Sequence, residues 1–205
     1  MKNLLTIALI FGVAFGVSAQ KMKLTSGSFK ALENQKEVLL VFKYDDMNVG
    51  TGKREMKETD YIARKKKEYN KKEAGRGDDW EKAWKADREN RFHGKFEELF
   101  NKGMKKQGLT AARNLTGAKY TMVIHTTMTE PGFSVPMVMT VPAAVSLKIQ
   151  LVETGSDKVL AEATETEAPG NAFFGAAWDT GNRIQESYAK AGKTFAKWLP
   201  KKGMK

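Results

Sequence analysis

From Phe133 to Val152 every odd-numbered residue is apolar: Phe133, Val135, Met137, Met139, Val141, Ala143, Val145, Leu147, Ile149 and Leu151. The residues between them are mostly small, polar or proline. Successive side chains of a strand point to opposite faces, so this is extended chain with one face on a core. A single strand of this length would span roughly 65 Å, against a usual length of about 5–6 residues. The run must therefore bend or change partners. Pro136 and Pro142 are the expected breaks, because proline has no amide to give a ladder.

Other strands assemble around it. Tyr120, Met122, Ile124, Thr126 and Met128 alternate in a strand that ends at Glu130-Pro131-Gly132-Phe133. Proline followed by glycine at the middle of four residues specifies a type II turn. Thr154-Gly155-Ser156-Asp157 reverses the chain again, into a strand with Val159, Ala161 and Ala163 on one face. Residues 119–167 thus read as an antiparallel meander. Val38 to Phe42 is continuously apolar and reads as a strand buried on both faces, near the centre of the sheet.

Two amphipathic helices complete the pattern. Trp80, Trp84, Phe92, Phe96, Leu99, Phe100 and Met104 form one stripe from about Asp79 to Gln107 that lapses at Asp87 and Arg88. Ala177, Gly181, Ile184, Tyr188, Ala191, Phe195 and Leu199 form a second, which Pro200 stops before a frayed tail. The fold class expected is α+β: a single domain with a mostly antiparallel sheet and the two helices packed on one face. Residues 45–77 read as a helical insertion with nine basic residues against four acidic between Lys53 and Lys72.

The start of the chain gives an address. Lys2, an apolar run from Leu4 to Val17 and Val17-Ser18-Ala19 have the form of a secretory leader over residues 1–19, with Gln20 opening the mature domain 20–205. No later segment is apolar enough to span a bilayer. There is no cysteine, so disulfides, thiolate metal sites, a cysteine nucleophile and an acylated cysteine are all excluded. The chain carries 35 Lys and Arg against 24 Asp and Glu, a net +11, with only Lys2 of these in the leader. Outside the cytoplasm this charge does not meet nucleic acid. Its candidate counterparts are an anionic envelope glycan or lipid.

Catalytic signatures are missing: no phosphate-cradling glycine loop, no nucleophile elbow and no paired histidines at metal spacing. No cofactor or metal is expected. Glu97 or Glu98 could still meet Asp45 or Asp46 as a glycosidase pair. Arg76-Gly77-Asp78 spells an adhesion tripeptide, but Asp78 and Asp79 read better as helix caps. Trp80 and Trp84 read as packing rather than a sugar platform. Two candidate surfaces remain. One is apolar, formed by Phe133, Met137, Met139, Phe173, Phe174 and Trp178 on loops at one end of the sheet. The other is a polyanion face of Lys65, Lys66, Lys67, Lys71 and Lys72.

The order of buried strand, long helix, strand, hairpin and closing helix, with the Thr154-Gly155-Ser156-Asp157-Lys158-Val159-Leu160 turn, resembles the amino-terminal-like domain of TolB and the curli-secretion lipoprotein group. The mature chain also looks like uncharacterised secreted proteins of Gram-negative bacteria. These resemblances imply an exported envelope protein, periplasmic or extracellular, without catalytic residues. The function expected is binding through a surface, with another envelope protein or an anionic envelope glycan or lipid as partner. The alternatives are a secreted hydrolase acting on glycans and a basic binder of lipopolysaccharide or acidic polysaccharide.

Overall fold

The computed structural model describes residues 20–135, 139–156, 158–170 and 179–205. In chain order the strands are β1 (Lys21–Gly27), β2 (Glu37–Lys43), β3 (Asn48–Val49), β4 (Met56–Lys57), β5 (Thr110–Ala112), β6 (Tyr120–Glu130), β7 (Phe133–Val135), β8 (Met139–Val141), β9 (Ala143–Glu153) and β10 (Val159–Gly170). The helices are α1 (Glu58–Asn70), α2 (Arg76–Asp87), α3 (His93–Met104) and α4 (Thr180–Trp198). The main sheet runs β1-β10-β9-β6-β2-β5, with β3 added beside β6 and β4 beside β3, and β7 and β8 form a separate pair among the described residues.

The meander is present as β6, β9 and β10, joined by antiparallel ladders. Pro142 separates β8 from β9, so the long alternating run bends where its amide is missing. Beyond the bend the odd positions keep their face: Val145, Leu147, Ile149 and Leu151 are all buried. Across the ladders Ile124 meets Ile149 and Ile149 meets Ala163. The inward positions Ala161, Ala163 and Ala168 of β10 are small, which lets α4 lie close on that strand. Opposite them α3 and α4 bring Phe96, Phe100, Met104, Ile184, Tyr188 and Phe195. Each such side chain contributes roughly 1.5–3 kcal/mol by leaving water.

Four features differ from the sequence reading. First, β2 lies next to the short edge strand β5, and both of its partners, β5 and β6, run parallel to it. Val38 and Leu40 are buried, while Leu39 and Val41 are only half-buried on the opposite face. Second, β1 is an edge strand on β10, assembled from a stretch with little hydrophobic pattern of its own. Third, the insertion is anchored in the core through Met47, Val49 and Tyr61. Fourth, the tail after Pro200 does not fray: Leu199–Gly203 form a π turn with Leu199 and Gly203 buried.

The long helix is divided where its stripe lapses. Arg88–Phe92 form a π turn between α2 and α3. The extra residue in that turn resets the phase of the apolar face, so Phe92, Phe96 and Phe100 all reach the core. Arg91, inside the turn, binds Asp87 at 2.9 Å and Asp179 at 2.7 Å. Asp179 also caps α4 by accepting from the Gly181 amide at 2.8 Å. One guanidinium thus ties the irregular turn to the start of α4.

Candidate functional site

At one end of the sheet, the turn from β6 into β7 faces α1 and encloses an open recess of about 170 Å³. Its lining includes Arg54, Tyr61, Arg64, Lys65, Glu130 and Phe133. The turn has the geometry that Pro131-Gly132 specifies, with Gly132 at φ 65°. A side chain there would collide with the Val141 carbonyl, so glycine is required for space as well as conformation. Below the turn, buried Arg183 of α4 donates to the carbonyl oxygens of Pro131 at 3.2 Å and Gly132 at 3.3 Å, and to Thr180 Oγ1 at 2.9 Å. Burial lowers its pKa from the usual arginine value.

Glu130 is the hub of the recess. Its side chain is only 7% exposed and meets Arg54 at 3.3 Å. It also accepts from Thr51 Oγ1 at 3.1 Å and from the Gly132 amide at 3.0 Å. The carboxylate therefore fixes both the turn and the arginine beside it. The Arg54 guanidinium lies 5.4 Å from the centre of the Phe133 ring. Arg64 lies 5.5 Å from the Tyr61 ring and meets Glu68 at 3.4 Å. Burial pushes the Tyr61 hydroxyl up to about 12, so it remains protonated. Three cations, one carboxylate and two aromatic rings are gathered there.

Phe133 and Lys65, taken from the two separate candidate surfaces, line the same recess. Met139 pairs through β8 with Val135. Met137, Phe173, Phe174 and Trp178 lie outside the described residues. Of the other lysines, Lys66 turns toward α2, where it binds Asp78 at 2.8 Å and Glu81 at 3.1 Å. Those two carboxylates hold its pKa above the ordinary value. Lys67, Lys71 and Lys72 are exposed, with Lys72 6.0 Å from the Tyr69 ring centre. Sequence reasoning passed over Arg54, Arg64, Tyr61 and Glu130 as site residues. The one available signal was a carboxylate directly before a proline-glycine turn, which is suited to accept the turn's own amide.

The remaining sequence features have local structural roles. Arg76-Gly77-Asp78 is the first turn of α2, not a protruding loop. Gly77 is buried and its amide donates to Asn70 Oδ1 at 2.6 Å, while Asp78 is held by Lys66 and Asn70. The residue preceding this helix is Gly75 in the left-handed region, so the expected aspartate cap is not formed. Trp80 and Trp84 pack on Tyr61 of α1 at ring distances of 5.9 and 5.4 Å. Trp84 also donates to Glu58 at 2.6 Å. Arg88 binds Glu58 and covers the Tyr44 ring at 4.1 Å. Glu97 binds Arg113 at 3.3 Å and Glu98 binds Lys95 at 2.8 Å.

Comparison with known proteins adds little to this geometry. No family model matches the chain, and no curated protein does. Among solved structures it is similar to a Xanthomonas campestris protein of the DUF330 family, at 12% identity over 79% of this chain and 83% of that one, with a TM-score of 0.35. It is also similar to the PelC dodecamer of Paraburkholderia phytofirmans, at 9% identity over 84% of this chain and 97% of that one, with a TM-score of 0.36. Both proteins come from Gram-negative bacteria, and neither is described as a TolB or curli-secretion domain. A likeness this remote carries nothing about ligand or assembly.

Proposed function

We propose that this chain is an exported, envelope-associated binding protein that works by contact rather than catalysis, through the recess between α1 and the β6–β7 turn. The observation that carries the reading is the convergence of Phe133 with Arg54, Arg64 and Lys65 at one end of the sheet. An aromatic ring beside anchored cations supplies apolar area and charge recognition at the same place. Glu130 supports this arrangement from beneath, since its oxygens are already engaged by the turn amide, Thr51 and Arg54. A carboxylate so engaged serves as a strut and not as a general base.

The test is retention of envelope material by immobilised protein, comparing the wild type with Phe133→Ser and Lys65→Glu. Both variants are expected to keep the wild-type circular dichroism spectrum and to lose the same retained component. Equal retention by all three folded proteins would exclude the recess as the working surface.

A further inference from the structure

We propose that the recess is a subsite for one uronic-acid residue of an acidic polysaccharide. The inference rests on the binding role given above and adds the ligand's chemistry. The recess holds two guanidiniums already stationed by aromatic rings and carboxylates: Arg54 over Phe133 and against Glu130, Arg64 over Tyr61 and against Glu68. A guanidinium carries five N–H donors in a planar fork, and each of these ion pairs engages one terminal nitrogen. Donors remain on both forks, and the partner matched to a planar fork is a carboxylate. Because the side chains are positioned in advance, less ordering is needed on binding. Lys65 adds a third positive charge on the same wall.

Size and surroundings favour a sugar over a lipid. At about 170 Å³ the recess is smaller than the roughly 300–1,000 Å³ usual for drug-sized ligands, and a single substituted six-membered ring fills it. The half-buried Phe133 ring offers a flat apolar surface to the C–H face of such a ring. A recess of this volume has no room for an acyl chain beside a headgroup.

Calorimetric titration of the purified protein with tetragalacturonate tests the proposal, with maltotetraose as the neutral control and lipid A as the phosphate-bearing competitor. Saturable binding of tetragalacturonate is expected, at least tenfold tighter than that of maltotetraose. It should weaken by about tenfold in Arg64→Gln and fall as salt rises from about 50 to 500 mM. Arg64 is half-exposed on a surface helix, so its variant folds; Arg54→Gln is the companion, with its circular dichroism checked because it loosens buried Glu130. Equal affinity for the neutral sugar, or no loss in Arg64→Gln, overturns the proposal. Stronger binding of lipid A that displaces the uronate also overturns it. Phe133-dependent retention of envelope material without tetragalacturonate binding sinks the uronate assignment alone, whereas loss of both removes the binding role as well.

Discussion

Two buried ionisable residues set opposite pH limits on this molecule. Glu165 sits on the inward face of β10, in the alternation of Ala161 and Ala163, and is fully buried. Its Oε1 accepts from Gln20 Nε2 at 2.5 Å, while Oε2 is buried without a hydrogen-bond partner. Desolvation pushes its pKa up to about 8. In the unfolded chain the same carboxyl ionises near the ordinary value of about 4.3. Stability is therefore fully present below that value and is lost progressively as pH rises toward 8. His93 behaves in the opposite sense: burial lowers its pKa, so the folded state keeps it neutral and loses stability as pH falls below the unfolded value of about 6.5. Its Nε2 faces the Tyr44 hydroxyl at 2.9 Å, and its ring stacks on Phe42 at 4.0 Å. Glu165→Gln is predicted to gain on the order of 3 kcal/mol over the wild type between pH 5 and 8, leaving only the acid-side loss. Urea melts at pH 5 and 8.5 check this; parallel pH slopes in the two proteins would show that Glu165 does not carry the effect. The alternation that places Ala161 and Ala163 inward extends to Glu165, so its position was readable from sequence. Its burial was not, because it depends on α4 and on Gln20 arriving from the far end of the chain.

Helix pairing depends on residues whose role shows only after docking. Gly192 of α4 lies against α3 so closely that a β-carbon would stand 2.4 Å from the Phe96 carbonyl oxygen. Gly94 on α3 has nothing within 4 Å of the corresponding position. Alanine has the better helix propensity at both sites by roughly 1 kcal/mol. Gly94→Ala is therefore predicted to stabilise by about 0.5–1 kcal/mol, and Gly192→Ala to destabilise by about 1–3 kcal/mol as the backbones separate. Thermal melts of the two variants should move in opposite directions; melts moving together would mean that the close approach is not what holds α3 to α4. The same limit applies to the π turn. The lapse at Asp87 and Arg88 marks where the stripe changes phase, but its resolution requires Arg91 to find Asp179, a residue 88 positions away. The hairpin end was more legible, since Pro131-Gly132 fixes its turn locally. Two of its cationic partners, Arg64 and Lys65, come from α1, whose docking depends on Tyr61 meeting Trp80 and Trp84, while Arg54 comes from the short turn before β4.

Across the whole molecule α4 joins two ends with different roles. It begins beside the recess, where Arg183 holds the turn carbonyls, and finishes against Phe29, which follows β1. There Phe29 meets Phe195 at 5.7 Å and Trp198 at 6.1 Å, in edge-on arrangements. The residues after Pro200 close this cluster: Gly203 is buried against Trp198, and Met204 packs on the core. Ser28 donates to the Gly203 carbonyl at 3.3 Å and the Lys205 carbonyl at 3.2 Å, and it also caps the 3₁₀ turn that carries Phe29. Pro200 has no amide to give to the preceding turn of α4, yet the chain continues as a π turn, closed by the Met204 amide on the Leu199 carbonyl at 3.0 Å, where the sequence pattern predicts a stop. Removal of residues 200–205 is predicted to cost about 1–3 kcal/mol, whereas loss of a frayed tail would cost almost nothing. Ser28→Ala should cost about 1 kcal/mol through its cap and its contacts to the tail. Since the two changes remove shared contacts, their combined cost should fall below the sum by several tenths of a kcal/mol. Denaturant melts of the four proteins in this cycle measure that coupling. A truncation that costs nothing would return the tail to solvent, while simple additivity would mean that Ser28 acts only as the cap of its own turn.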